Sequence, residues 1–538
     1  MATPVKRPKI VVVGGGFAGL FSAKQLLKRL GEHADIEIIS DINYFVFQPL
    51  LPEVAAGTIN SQDAVSPLRS LLPHAMVRLA TVVGVDTDRR EVKLIQGQKR
   101  KLQSLAYDEL VLTTGQETRL SMFTGFDHHS LTMKNLSDAY HLRNHVIQCL
   151  EMADVTRFPE IKKRALTFVV AGGGFSGVET MGELVEMIHR VRHQYPHIGA
   201  EEVRTVLIQR GDRLLPEMSP QLSEYARKDL EKRGVEVWLN TSIHSASRYS
   251  VCMADGRKIP TNTIVTTIGN GPSGFIQSLP VQLCRGKIQV DRCLRAVGVK
   301  HVWALGDAAL VPLHNDGEKE CYAPPTAQFA SKEGQVLAEN IRAVMEGREP
   351  RPFVYTAKGT LASLGGYSGV AEIYGFKFTG IFAWLLWRFI YIGMLPGFPA
   401  KLRVSLNWLF DYFMPRTIVY MNENNRPATQ LLNYATGEIV HEVNEVLEGF
   451  YVVISGRFER TIPGKDGEPD RVRIFNCGDS WGERCLADHR LTIGQVKALE
   501  DGEVLLFRAD DFERFRGAFS PFDKLLTRRE KTTGAIEI

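Results

Sequence analysis

Cysteine is scarce and badly placed for redox or metal chemistry. Seven occur in 538 residues, at 149, 252, 284, 293, 321, 477 and 485. There is no CxxC pair and no even framework, which excludes a disulfide scaffold, a zinc ribbon and a CxxC redox centre. A reducing, intracellular compartment is the simpler expectation. One-sided charge is also missing: 65 Lys and Arg against 61 Asp and Glu leave +4, too little to expect nucleic acid as a partner. The opening MATPVKRPKIVVVGGG has an apolar run of only four residues, so no signal peptide is expected. With 44% hydrophobic and 23% charged residues the chain is too apolar for disorder. Its length suggests roughly three or four domains.

Glycine is plentiful, with 47 residues against 25 proline, and it falls at informative places. Lys9–Val13 is a β-branched run typical of a buried parallel strand. It meets Gly14-Gly15-Gly16-Phe17-Ala18-Gly19, then an apolar-periodic helix through about Leu30. Leu166–Ala171 meets Gly172-Gly173-Gly174-Phe175-Ser176-Gly177, then a helix through about Arg192. The two segments superpose at an offset of 158 residues. In GxGxxG the first glycine allows a tight turn, the second lets backbone approach a pyrophosphate, and the third lets helix and strand pack closely. The helix N-terminus adds free N–H groups and a positive dipole end. Two copies in strand–loop–helix context predict two dinucleotide sites on one chain.

Three further strand ends support a two-nucleotide flavoprotein. Val302–Leu305 runs into Gly306-Asp307, Thr113-Thr114-Gly115 follows YDELVL, and Thr267-Ile268-Gly269 follows TNTIVT. These resemble the loops of two-dinucleotide-domain flavoproteins, in which such an Asp binds the FAD ribityl chain. Disulfide reductases of that superfamily carry a redox cysteine pair after the first unit. Here the stretch is NYFVFQPLLPEVAAG, without cysteine, so the electrons are expected to leave for a small molecule.

NYFVFQPLLPEVAAG, GGGFSGVETMGEL, GDRLLPEMSPQLSEYARKDLEKRGVEV, VWALGDAA and APPTAQFASKEG, in that order over about residues 8–420, closely resemble the type II NADH:quinone oxidoreductases. These are single-subunit, non-proton-pumping, FAD-containing respiratory enzymes. The resemblance implies that the first glycine loop holds FAD and the second NAD(P)H. Hydride then passes from nicotinamide to flavin, and two electrons pass to quinone. It also implies FAD contacts at Gly14, Gly16, Phe17, Ala18, Gly19, Gln48, Thr114, Gly115, Gly306, Asp307 and Ala327. Coenzyme contacts are implied at Gly172, Gly174, Phe175, Ser176, Gly177 and Gly269. Glu179 matches a carboxylate near flavin and nicotinamide, able to relay a proton; a helix first-turn acid favoured by the dipole is the plainer alternative. Gln328 matches the AQxAxQ quinone motif, whose final Gln is Lys332 here. That cation would either favour an anionic reduced flavin by charge or point to solvent.

Two acids are missing where this family has them. The carboxylate for the FAD adenosine ribose falls at Ser40, with Asp41 next to it, and the one for the coenzyme ribose falls at Gln209, followed by Arg210. An acid there would bond the 2′-OH of NAD and repel the phosphate of NADP. Its replacement removes that repulsion, and Arg210 can pair with phosphate. Both NADH and NADPH are therefore expected to serve.

Residues 376–416 hold 12 aromatics, five cations and one acid. Phe378–Pro399 is 22 residues with a single charge, Arg388, long enough to span a bilayer by length alone. Arg388 at its middle would cost ~2.5–3.5 kcal/mol on the insertion scale, and Pro396, Gly397 and Pro399 break its end. In 401–413, Leu402, Leu406, Leu409, Phe410 and Phe413 make an apolar stripe, with Arg403, Asn407 and Asp411 on the polar side. A monotopic anchor on a membrane surface is expected; a spanning hairpin and plain core or dimer packing are the alternatives.

After a linker near 422–427, short alternating strands resemble a cyclic-nucleotide-binding β-roll. Glycines 449, 456, 478 and 482 are expected at turns, and a final helix from about Asp510. Gly482-Glu483 matches the ribose grip; Arg490 is the candidate phosphate partner but lies only seven residues on, and Arg484 is a weaker one. Cyclic nucleotides are expected to bind weakly or not at all.

The expected organisation is two Rossmann-like α/β domains, an amphipathic anchoring region and an all-β roll. FAD occupies 1–135 and 286–345, NAD(P)H 136–285, membrane and quinone access 346–422, and the roll 425–538. The expected protein is a homodimeric NAD(P)H:quinone oxidoreductase on the cytoplasmic face of the cell inner membrane. A soluble dehydrogenase with another acceptor and a non-catalytic nucleotide-bound redox sensor are the competing readings.

Overall fold

The computed structural model describes residues 7–97, 101–316, 319–420, 429–464, 468–482, 485–486, 491–509 and 511–512. Two five-stranded parallel sheets carry its α/β part. The first runs in the order Val302–Ala304, Glu109–Leu112, Lys9–Val13, Asp35–Ser40, Met76–Leu79. The second runs Leu131–Thr132, Thr263–Thr266, Thr167–Ala171, Arg204–Ile208, Val235–Trp238. Each repeat strand sits third in its sheet. Ile10, Val11, Val12, Phe168, Val169 and Val170 are fully buried, as strands covered on both faces must be. The outermost strand of the first sheet, Val302–Ala304, returns from beyond the second sheet in sequence. The second unit is thus an insertion within the first.

After helix Ala327–Met345 the chain forms an antiparallel sheet of Gly359–Gly365, Ser368–Ile373 and Phe376–Thr379. Helices Gly380–Met394 and Phe398–Phe413 follow. The apolar run that is long enough to span by length is therefore divided among the end of a strand, a 15-residue helix and the start of the next helix. No helix among the described residues is long and apolar enough to cross a membrane.

The β-roll consists of two four-stranded antiparallel sheets around Tyr434, Tyr451, Phe458, Phe475 and Trp481. Gly456, Gly478 and Gly482 have positive φ, as turns require. Gly449 departs from the expectation: it opens the strand Gly449–Ser455, where a Cβ would strike the carbonyl of Phe507 on the neighbouring strand. The expected linker at 422–427 lies outside the described residues, as does nearly all of the expected final helix.

The roll docks on the hairpin Ile243–Ala246/Ser250–Met253 of the second unit. The half-buried Arg248 guanidinium donates to both Glu448 oxygens at 2.5 and 2.6 Å and to the Tyr434 hydroxyl at 3.1 Å. Ser247 and Ser250 donate to Glu438 Oε1. His129 Nε2 accepts the Asn433 N–H at 2.7 Å, and burial holds this imidazole neutral, its pKa lowered to about 4.

Candidate active site

The two glycine loops repeat one another in atomic detail. Gly14 and Gly172 have φ of +111° and +114°, a region costly for any residue with a Cβ. A Cβ on Gly19 would overlap the Gly14 carbonyl, and one on Gly177 the Gly172 carbonyl. A threonine locks each loop: Thr113 Oγ1 donates to Val13 O at 2.7 Å, and Thr267 Oγ1 to Ala171 O at 2.9 Å. Gly16 and Gly174 cap helices Phe17–Leu30 and Phe175–Val191, and a Cβ on either would meet no atom within 4 Å. Each loop therefore presents backbone N–H groups and a helix N-terminus to open space, the geometry that accepts a pyrophosphate.

Residues from three segments converge on the first loop. A Cβ on Gly306 would lie 2.8 Å from that of Ala18 and 3.9 Å from that of Ala330, so loop helix, Gly306-Asp307 turn and helix Ala327–Met345 meet. Burial raises the Asp307 pKa, opposed by Lys287 and Lys134. The Gln48 amide donates to Lys134 O at 3.2 Å. Thr114 Oγ1 is buried without a hydrogen-bond partner among the described residues, and Gly115, with φ +70°, turns the chain beside it. An orphaned hydroxyl beside a phosphate-accepting loop fits a bound dinucleotide. Phe17 packs edge-on to Phe45, 4.9 Å between centroids. Ser40 is buried against Gly15, whereas Asp41 is exposed. Sequence reasoning missed Glu333, which accepts the Gly306 N–H at 2.7 Å and whose pKa burial raises to about 7. Only its place directly after the stretch Ala327–Lys332 could have signalled it.

Around the second loop, Gln209 does something the sequence did not suggest. Its Oε1 accepts the Gly173 N–H at 3.1 Å and its amide donates to Arg213 O at 3.3 Å. It braces the loop where the family acid would hold a ribose. Arg210 and Ser176 are exposed, Phe175 is partly buried, and Gly269 has φ +83°.

Glu179 lies in the second turn of helix Phe175–Val191 and is buried. Its Oε1 accepts the Ser363 N–H at 3.1 Å and the Trp387 indole N–H at 3.2 Å. Desolvation nevertheless raises its pKa to about 8, aided by Glu53 and Glu183. Oε2 is therefore free to carry a proton at neutral pH. Gln328 is half-buried in the first turn of its helix, beside the Tyr355 hydroxyl; Lys332, one turn on, is exposed.

Arg388 is not a membrane charge. It turns inward between the rings of Trp384 and Trp408, 4.0 and 4.4 Å from their centroids, with Glu53 at 3.6 Å. Arg403, Asn407 and Asp411 likewise face the body, contacting Asp63 and Arg190. The two helices expose a large apolar surface: Phe382, Phe389, Phe398 and Phe413 are 72–79% accessible, with Ile381, Leu385, Leu402, Leu409 and Phe410 half-exposed. Such a patch marks an interaction surface.

In the roll, Gly482 is described, but Glu483, Arg484 and Arg490 lie outside the described residues. Trp481 stacks on Tyr451 at 5.2 Å and closes on Phe475 at 5.0 Å, filling the interior. The buried Thr492 donates its hydroxyl to Glu442 O at 2.6 Å.

Comparison with known proteins agrees with this geometry. Residues 8–334 match the pyridine nucleotide-disulphide oxidoreductase family, 357–417 the NDH2 C-terminal domain and 431–518 the cyclic nucleotide-binding domain. The chain is 30% identical over 431 residues to the type II NADH:quinone oxidoreductase of Mycobacterium tuberculosis, covering 77% of this chain and 90% of that protein. It is 29% identical over 448 residues to the mitochondrial internal alternative NAD(P)H-ubiquinone oxidoreductase A1 of Arabidopsis thaliana, covering 77% and 86%. The fold matches that of NDH2 from Plasmodium falciparum in complex with NADH, with TM-score 0.71 and 21% identity, over 77% of this chain and all of that one. With the duplicated glycine loops and an NDH2-type C-terminal region, the chain belongs to the type II NADH:quinone oxidoreductases.

Proposed function

We infer that this protein oxidises NAD(P)H, carries FAD and reduces a quinone at a membrane surface. The single observation that carries the reading is the pair of matched glycine loops, each facing open space, with a buried proton-bearing carboxyl on the second loop's helix. FAD, when bound, supplies the chemistry: it accepts hydride from the nicotinamide and passes two electrons to quinone. The chain's own residues bind and orient. The Gly14–Gly19 loop would offer its N–H groups to the FAD pyrophosphate, Asp307 would serve the ribityl hydroxyls, and the Thr114 hydroxyl, without a hydrogen-bond partner among the described residues, would supply a further bond. The Gly172–Gly177 loop holds the coenzyme, with Gln209 and Arg210 near its adenosine ribose. Without an acid there, the 2′-phosphate of NADPH is tolerated. Trp387 and Ser363 fix Glu179 Oε1, leaving Oε2 as the proton donor.

The exposed phenylalanines and leucines of 376–416 lie on the bilayer, with Lys377 and Lys401 as flanking cations. A lipid-dissolved quinone then reaches the site from that face. The cytoplasmic side of an inner membrane suits a coenzyme of the reducing interior and cysteines that form no disulfide among the described residues. The roll acts through its docking on the coenzyme unit, where Arg248 pairs with Glu448 and Ser247 and Ser250 donate to Glu438. A steady-state assay tests the reading. NADH and a short-chain quinone should disappear one for one, and acid precipitation should release all flavin as FAD. Colour retained in the pellet, or NADH oxidation indifferent to quinone, would contradict it.

A further inference from the structure

The turn that carries Asp307 is held by a side chain from elsewhere in the chain. Gly306–Ala308 forms one short turn after strand Val302–Ala304. It lies tight on the helix of the first glycine loop: Gly306 has φ +67°, and a Cβ there would lie 2.8 Å from that of Ala18. The Gly306 N–H is taken up by the Glu333 carboxyl, whose Oε2 accepts it at 2.7 Å across 27 residues of sequence. Glu333 comes from the second turn of helix Ala327–Met345 and is buried. The next residue, Gly334, explains the close approach. A Cβ at 334 would lie 2.9 Å from Ser22 N, so this helix presses directly on helix Phe17–Leu30. Glu333 therefore stands where the two helices and the Asp307 turn meet.

A buried carboxyl is a costly choice for that place. A hydroxyl or an amide accepts an N–H equally well and brings no charge to desolvate. The neighbouring charges add to the cost. Asp307 is the residue after the bonded Gly306 and is itself half-buried. Lys287, on strand Lys287–Gln289, faces both acids, and Lys134 faces Asp307. Helix Phe17–Leu30 brings no acid in its first turn, but its glycine loop is built for a pyrophosphate, which adds negative charge to the same corner once bound. Like charges gathered away from water favour the protonated form of an acid. Burial raises the Glu333 pKa to about 7, with Asp307 adding to the shift and the Gly306 N–H and Lys287 opposing it.

We propose that Glu333 is a positioning residue for the flavin, holding the Gly306-Asp307 turn against the first glycine loop and taking up a proton from water when FAD binds. The proposal rests on the flavoprotein reading above. On binding, an O–H bond forms on Glu333 with a proton drawn from water. The neutral carboxyl keeps its carbonyl oxygen on the Gly306 N–H and leaves Asp307 as the one anion beside the ribityl hydroxyls. Because the flavin-bound state holds this proton more tightly, affinity is full well below pH 7. It falls as pH rises past about 7 and the carboxylate returns beside Asp307 and the pyrophosphate.

The test uses full-length holoenzyme and reads flavin release as the rise of free-flavin fluorescence after dilution. Wild type should release FAD at least fivefold faster at pH 9 than at pH 6. Glu333→Gln keeps an acceptor for the Gly306 N–H but does not titrate, so it should hold the wild-type pH 6 rate across the whole range. Glu333→Leu removes the acceptor and should release FAD at least tenfold faster than wild type at pH 6. Should Glu333→Leu not fold, wild type against Glu333→Gln decides alone. An equal pH dependence in wild type and Glu333→Gln, or wild-type retention of FAD by Glu333→Leu, would overturn the proposal. A wild-type protein that neither contains FAD nor takes it up would instead overturn the flavoprotein reading.

Discussion

Alanine placed at the two helix-side glycines of the coenzyme loop should separate folding from coenzyme binding. At Gly177 a Cβ would overlap the Gly172 carbonyl oxygen and sit 2.9 Å from both the Gly172 carbonyl carbon and Thr267 Oγ1. None of these can retreat easily, since Gly172 is held at φ +114° and its N–H donates to Ile208 O, while Thr267 Oγ1 is bonded to Ala171 O. Overpacking of this kind costs ~1–3 kcal/mol or more, and a rigid backbone obstacle puts Gly177→Ala at the upper end. At Gly174 the Cβ meets nothing, and its φ of −78° and ψ of −173° suit alanine. Folding should be unchanged or gain up to ~1 kcal/mol from the stiffer unfolded chain. The methyl group, however, occupies space the pyrophosphate needs, so KM for NADH should rise at least tenfold, or ~1.4 kcal/mol. Thermal unfolding by circular dichroism, flavin content and NADH titration measure all three. A Gly177→Ala protein with native Tm and KM, or a Gly174→Ala protein with unchanged KM, would refute the reasoning.

NADPH should be oxidised measurably at millimolar concentration, and Gln209→Glu should shift kcat/KM toward NADH, by steady-state kinetics with both coenzymes. Glutamate at Phe382, Phe389 and Phe413 together should abolish cosedimentation with lipid vesicles, since each buried ring is worth ~1.5–3 kcal/mol; unchanged sedimentation would move the anchor elsewhere. Glu179 titrates near 8 in the folded chain against 4.5 for the free side chain, so the native state holds the extra proton. Its contribution is then complete below pH 4.5 and is lost as pH rises through about 8. Glu179→Gln should therefore be the more stable form at pH 9 and no more stable than wild type at pH 4, by thermal unfolding across that range. Calorimetry on the full-length protein should find no micromolar binding of cyclic AMP or cyclic GMP.

The parts of this molecule that sequence makes legible are those where one residue type answers a local mechanical demand. GxGxxG after a β-branched strand is such a demand, and both copies form with matching φ, caps and threonine locks. The alternating strands of the roll are another. What stayed hidden depends on partners far away in sequence. Arg388 reads as a costly charge within an apolar run, because nothing local announces Glu53, Trp384 and Trp408 closing around it. Arg403, Asn407 and Asp411 make a recognisable polar side, but only tertiary packing turns that side inward and leaves the leucines outside. Gln209 stands at the expected strand end, yet its bond to Gly173 N is a matter of rotamer.

The central claim, electron transfer from NAD(P)H through bound FAD to quinone, is tested most directly by sequential anaerobic mixing. Full-length protein mixed with one equivalent of NADH should lose its yellow flavin absorbance. A second mix with one equivalent of quinone in lipid vesicles should restore it fully, with one quinol formed. Bleaching that only oxygen reverses, or no bleaching by NADH or NADPH, would contradict the account.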